Sequence, residues 1–170
     1  MNKSTLAHGG DGDTKRWYLN GNLHREDGPA VEYPNGSKFW YRHDKRHRED
    51  GPAVEHADGS RMWCQNDKIH REDGPAYEES NGTRVWYIYD VRHREDGPAV
   101  EISNGTKMWY INGELHREDG PAAEYASGTK DWYLNHVRMS KEDFIKKVKN
   151  KKFTADEIAS LKSYGIEVDI

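Results

Sequence analysis

The chain has 170 residues, 34% hydrophobic and 33% charged, with 26 basic and 30 acidic side chains and a net charge of -4. So little apolar material excludes a thick core, and the near balance of charge excludes a global field that would favour nucleic acid or an anionic membrane. One cysteine, Cys64, excludes an intrachain disulfide framework, while six Trp and ten Tyr set the chain apart from disordered sequences and suit a thin sheet.

Residues 1–13 are polar, rich in Gly and Asp, and without periodicity, which predicts a flexible N-terminal arm. Their Gly-Gly-Asp-Gly-Asp run resembles a calcium-binding glycine-aspartate repeat but occurs once, whereas such sites need several oxygen ligands from neighbouring turns. No apolar run near the N-terminus has the character of a signal peptide, and none approaches the roughly 18 to 20 residues of a membrane span. A cytoplasmic location is the expectation.

From Thr14 the sequence repeats. The heptapeptide HREDGPA begins at His24, His47, His70, His93 and His116, each start 23 residues after the last, and Trp17, Trp40, Trp63, Trp86, Trp109 and Trp132 keep the same spacing. A fixed period of this size is the signature of a stacked array. Each repeat carries two turn signals and therefore two strands. The first turn, Tyr33-Pro34-Asn35-Gly36-Ser37, suits a type I turn followed by a left-handed Gly, the three-residue hairpin loop.

That turn sets the register. Pairing Tyr33 with Ser37 places Glu32 opposite Lys38 and Ala30 opposite Trp40 on one face, with Val31, Phe39 and Tyr41 on the other. Each later repeat keeps the pattern, as Glu55 with Arg61, Glu78 with Arg84, Glu101 with Lys107 and Glu124 with Lys130, so cross-strand ion pairs are expected. The second turn is a plain two-residue hairpin signal at Asn20-Gly21 and Asn112-Gly113 and looser at His43-Asp44, Asn66-Asp67 and Tyr89-Asp90. Asp-Gly-Pro cannot continue a central strand, so HREDGPA is the corner where one hairpin hands over to the next.

Trp-Tyr-x-Asn-Gly at Trp17 and Trp109, followed by a glycine-containing link, resembles the membrane occupation and recognition nexus (MORN) repeats. The resemblance covers residues 14 to 138, with HRED in place of the shorter glycine-rich link usual in that family. It implies an elongated ribbon of antiparallel hairpins, protein or lipid contact, and self-association. Repeats with HRED-GPA-like links are also similar to ones in phage and large-virus proteins, which implies a host protein as partner.

After Trp132-Tyr133 the pattern breaks, with Met139 where a sixth His would stand. Ser140 is an N-cap ahead of Phe144, Ile145 and Val148, and Thr154 with Glu157 forms a capping box ahead of Ile158, Leu161 and Tyr164, stopped by Gly165. Two helices are expected over residues 139–170, with a last strand at Ile166 to Ile170. The expected fold is thus mainly β, an elongated single-layer antiparallel sheet of 23-residue hairpins (14–138) closed by a short helical cap.

Five equivalent histidines invite a metal reading, but equivalent atoms in stacked hairpins lie roughly 9 to 10 Å apart, too far to share one ion. No cofactor is expected. The Arg and Asp of each corner (Arg25, Asp27; Arg48, Asp50; Arg71, Asp73; Arg94, Asp96; Arg117, Asp119) are assigned to neighbouring backbone or the adjacent repeat, and the histidines to a stacked ladder. No nucleophile elbow, phosphate-cradling loop, HExxH or CxxC motif is present, and five identical Glu-Asp pairs give no reason for one to be tuned apart, so no enzyme is expected.

What remains is a binding module, and the informative positions are those where the repeats differ. The candidate partner-binding residues are Tyr33, Phe39, His43, His56, Met62, Glu79, Tyr89, Ile102, Met108 and Tyr125, several of them types enriched at interface centres. The leading expectation is a non-catalytic scaffold or inhibitor that binds another protein. The alternatives are a module for an anionic ligand (lipid headgroup, nucleotide or nucleic acid) through Lys146, Lys147, Lys149, Lys151 and Lys152, or a homodimeric structural spacer.

Overall fold

The computed structural model describes residues 5–8, 13–148 and 153–167. The protein is mainly β, an open antiparallel sheet of repeated hairpins followed by two helices. It divides into two compact units, Met1–Val91 and Arg92–Ile170.

In the first unit the sheet runs in the order Thr5–His8, Lys15–Leu19, Val31–Glu32, Lys38–Phe39, Val54–Glu55, Arg61–Met62, Tyr77–Glu78 and Arg84–Val85. The register is the expected one: Val31 faces Phe39, Glu32 faces Lys38, and the next hairpin joins with Lys38 opposite Glu55. The first turn is also as expected. The Tyr33 N–H donates to the Ser37 carbonyl at 2.9 Å, Gly36 has φ +92, and the Asn35 carboxamide accepts from the Ser37 N–H at 2.9 Å.

The ion pairs are not the expected ones. Glu55 lies 3.3 Å from Arg48 and Glu32 lies 3.6 Å from Arg25, whereas the opposing bases Lys38, Arg61 and Arg84 stand exposed. The corner arginine wins because its planar fork is already pinned on the Glu face by other contacts, while the opposing side chain would give up hydration and rotamer freedom to reach inward.

A second row of hairpins pairs Tyr41–Arg42 with Lys45–Arg46 and Cys64–Gln65 with Lys68–Ile69. Here the turns that read as loose in the sequence are as tight as Asn-Gly. Both central residues have positive φ at His43-Asp44, Asn66-Asp67 and Tyr89-Asp90, the I′ geometry. Asp tolerates that strain because its carboxylate has work to do: Asp67 Oδ1 accepts from the Arg46 N–H at 3.0 Å, and Asp90 Oδ1 from the Ile69 N–H at 2.7 Å. Each such turn therefore clasps the preceding repeat. A second clasp comes from the buried hydroxyls, Ser37 accepting from the Ala57 N–H and Ser60 from the Ser80 N–H, both at 3.0 Å.

The thin core is built from the Ala of each GPA. Ala30, Ala53 and Ala76 have no exposed surface, because the preceding segment comes close enough for the Trp17, Trp40 and Trp63 N–H groups to donate to their carbonyls at 2.8 to 2.9 Å. Any larger side chain there would force the strands apart.

The expected arm is partly a strand. Thr5–His8 pairs antiparallel with Lys15–Tyr18, which covers the open edge that the first hairpin would otherwise present. Residues 1–4 and 9–12, including most of the Gly-Asp run, lie outside the described residues.

The second unit repeats the scheme, with Val100–Glu101, Lys107–Met108, Ala123–Glu124, Lys130–Leu134 and Val137–Met139 in order. Two helices follow, α1 (Lys141–Val148) and α2 (Ala155–Ser163). Both caps are as expected: Ser140 Oγ accepts from the Asp143 N–H at 3.1 Å, and Thr154 and Glu157 form a reciprocal capping box. The expected last strand is corrected. Ile166 is buried in the helical cluster with Phe144, Val148 and Leu161, Ile166 and Glu167 lie in no strand, and residues 168–170 are outside the described residues. An isoleucine with a helical core to fill gains more there than at a sheet edge.

Candidate functional site

The corner HREDGPA has one geometry throughout. The Arg48 guanidinium sits over Trp40 with 4.2 Å to the ring centroid, its Nε donates to Asp50 at 2.9 Å, and its Nη1 donates to the Pro52 carbonyl and to Glu55, both at 3.3 Å. Arg25, Arg71 and Arg117 cover Trp17, Trp63 and Trp109 at 4.1, 4.2 and 4.0 Å. Arg94 binds Asp96, the Pro98 carbonyl and Glu101 in the same way. Each corner arginine is held by groups of its own repeat, and Arg117 reaches beyond it as well, to Ser160. The Gly explains itself in this frame: a Cβ at Gly51 would stand 2.9 Å from Arg48 Cζ, so only Gly lets the guanidinium lie flat.

The histidines do not stack on one another. Each instead faces the tight turn of the following repeat: the Asn66 N–H donates to His47 Nδ1 at 3.3 Å, Asn112 to His93 at 3.1 Å and Asn135 to His116 at 3.1 Å. His24 lies 4.4 Å from the His43 ring, and His70 stacks on Tyr89 at 3.9 Å. A turn that needs an acceptor or a flat surface behind it uses each ring, so each corner histidine meets a turn residue, His43 in the case of His24, and not another corner histidine. Among the described residues no three His, Cys, Asp or Glu are grouped to hold a metal ion.

With the arginines occupied, the outward side of each corner is acidic. Among the described residues grooves follow the corners: one of about 610 Å³ between Arg25-Asp27 and Arg48-Asp50, one of about 640 Å³ between Arg48-Asp50 and Arg71-Asp73, and in the second unit one of about 520 Å³ between Arg94-Asp96 and Arg117-Asp119. Trp40, Trp63 and Trp109 line them.

No protein-family model matches the chain. No curated protein matches it significantly either. The repeated hairpin of about 23 residues carries a periodic Arg–Glu bridge and a buried Ser or Thr.

Of the candidate partner-binding residues, Tyr33, His43, His56 and Tyr89 are exposed, while Phe39, Met62, Glu79, Ile102, Met108 and Tyr125 are half-buried. The fold brings three of them together: the Phe39 ring lies edge-on to Tyr33 at 5.4 Å and to His56 at 5.7 Å. Met62 is wedged between Val54 and Tyr77 in the sheet register, and Met108 takes a Tyr110 hydroxyl contact at 3.9 Å. Tyr125 reaches Asp131 at 3.4 Å. Lys146 and Lys147 are exposed on α1, and Lys149, Lys151 and Lys152 lie outside the described residues.

Sequence reasoning missed the hydroxyl clasp and the seat of α2. The first had a signal, since Ser or Thr follows the turn Gly at Ser37, Ser60, Thr83, Thr106 and Thr129. The second had none: Arg117 Nη2 donates to Ser160 Oγ at 3.1 Å and the Tyr164 hydroxyl to Glu124 at 2.5 Å, across 40 and more residues.

Two outcomes follow from the local chemistry. Cys64, in the Tyr position of its repeat, is wholly buried and its thiol is pushed up to about 11, first by burial. At about pH 8 the native thiol should react with a disulfide-exchange reagent far more slowly than the unfolded chain, and equal rates would show the site open. Asp50, Asp73 and Asp96 are held below their ordinary 3.8, first by hydrogen bonds from Arg48, Arg71 and Arg94. Their folded value lies below the unfolded one, so their contribution is present above about pH 4 and is lost as pH falls through the folded value. The melting temperature should drop on acidification from about pH 4 to 2; a rise would contradict the assignment.

Proposed function

We propose that the chain is a non-catalytic protein-interaction scaffold or inhibitor, a divergent MORN-like hairpin array whose varied side chains meet another protein. One observation carries this reading. The arginines common to the corners are turned to internal work, whereas Tyr33, His43, His56 and Tyr89 differ from repeat to repeat and stand exposed. Groups given over to holding a fold are poor candidates for chemistry, and exposed aromatic residues on a rigid array are good candidates for recognition. The resemblance to phage and large-virus repeats makes a host protein the expected partner. The Tyr33-Phe39-His56 row supplies an aromatic anchor of the kind that tolerates salt.

The test is affinity capture from host-cell extract at low and high salt, with the native chain beside a Tyr33→Ala/His56→Ala variant of equal melting temperature. One stoichiometric protein held at high salt by the native chain and lost with the variant is the expected result. Recovery of only nucleic acid or lipid, released by salt, would overturn it in favour of anion binding through Lys146 and Lys147. Self-capture alone would make the chain a spacer.

A further inference from the structure

One of the five corners is already occupied by a helix. The corner of Arg117 carries α2 on its outward side: Ser160 Oγ accepts from Arg117 Nη2 at 3.1 Å, and the Tyr164 hydroxyl donates to Glu124 Oε1 at 2.5 Å. The Tyr164 ring lies 5.7 Å from Arg117 Cζ and closes over Gly120, where a Cβ would stand 2.9 Å from Tyr164 Cε2. The residues that make this seat are the Arg, Gly and Glu common to every repeat. Elsewhere the seat is open. Asp119 is 28% exposed against 84% for Asp27, Asp50, Asp73 and Asp96, and Arg117 is 11% exposed against 21 to 24% for the other corner arginines. Gly120 is buried, whereas Gly28, Gly51, Gly74 and Gly97 are not.

We propose that the open corners at Arg25, Arg48, Arg71 and Arg94 are docking seats for a helix of a partner protein that carries Ser or Thr at one position and Tyr four residues later. The inference rests on the protein-interaction reading above and names its chemistry. Two residues four apart lie on one helical face, so a single helix delivers a hydroxyl acceptor to the guanidinium and a phenol donor to the carboxylate. The flat glycine takes the ring edge. A second copy of this chain does not fit as the donor, because its own α2 is committed: Leu161 and Ile166 are buried beneath it in the helical cluster. The acidic rim formed by Glu26, Asp27, Glu49 and Asp50, all exposed, selects for a partner helix with basic flanks.

The test uses the full chain and a helix stapled between Ala155 and Ala159 with the sequence of residues 153–167 as probe, followed by backbone amide shifts. Saturable shifts are expected at Gly28, Gly51, Gly74 and Gly97, with Gly120 unmoved because its seat is filled. A probe with Tyr164→Phe should bind about tenfold more weakly, the loss of one hydrogen bond to a charged group. Placing the change in the probe leaves the fold of the chain untouched. Shifts at Gly120 alone, no saturation at millimolar probe, or equal binding by the Phe probe would each overturn the proposal. If capture from extract finds a partner while the probe fails, the scaffold reading stands and this one falls; if the probe binds but no partner is captured, the reverse holds.

Discussion

Replacing Arg48 by Ala should lower the unfolding free energy by about 2 to 4 kcal/mol. The change strips the cation from the face of Trp40, a contact of about 0.5 to 2 kcal/mol, and leaves the Pro52 carbonyl in a half-buried setting without its donor, at about 1 to 3 kcal/mol. It also leaves Glu55 without the partner that satisfied it. Against a typical total of about 5 to 15 kcal/mol for a domain this is a large fraction. Arg48→Lys should rescue little, since an ammonium can reach one acceptor but cannot lie flat on Trp40 while forking to Asp50 and Glu55. Urea titration followed by tryptophan fluorescence measures it. A loss under 0.5 kcal/mol would mean the corner is ornament on a sheet held by backbone pairing alone.

Replacing Phe144 by Ala should cost about 3 to 5 kcal/mol and act first on the cap. Trp132 is the one repeat tryptophan in the sequence with no HRED arginine after it, because Met139 stands where the His would be. Its exposed face is taken by the helices instead: Phe144, wholly buried, lies 4.7 Å from Trp132, and Tyr164 lies edge-on at 6.0 Å. The Ala variant opens a cavity among Val148, Leu161 and Ile166, so α1 and α2 should lose hydrogen-exchange protection while the hairpins of the array keep theirs. Phe144→Leu, which conserves most of the volume, should lose much less. Uniform loss of protection along the chain would show instead that cap and array unfold as one.

Much of this was legible in the sequence because each repeat solves the same local problem. The 23-residue period fixes the hairpins, Gly36 and its equivalents fix the first turn through a backbone conformation other residues resist, and the period of two then assigns faces. Helix caps at Ser140 and Thr154 were equally readable, being interactions over three residues. The unread parts are those in which a residue's partner lies outside its own turn or strand pair. Glu32 facing Lys38 is a statement about register, yet the carboxylate goes to Arg25 because Trp17 holds that guanidinium nearby. Asp67 reads as a weak turn former until the Arg46 N–H is seen beneath its carboxylate.

What the sequence determined by itself, then, is the hairpin, its turns, its faces and its helical ends, all set by steric rules acting over a few residues. What only the tertiary structure decided is which charges pair, why His47 faces Asn66 and not another histidine, and that α2 comes to rest on the corner of Arg117. Those choices depend on which groups remain unsatisfied once the hairpins are side by side. A hydrogen bond or a ring face goes to the neighbour that stacking brings within reach, and sequence separation carries no measure of that distance.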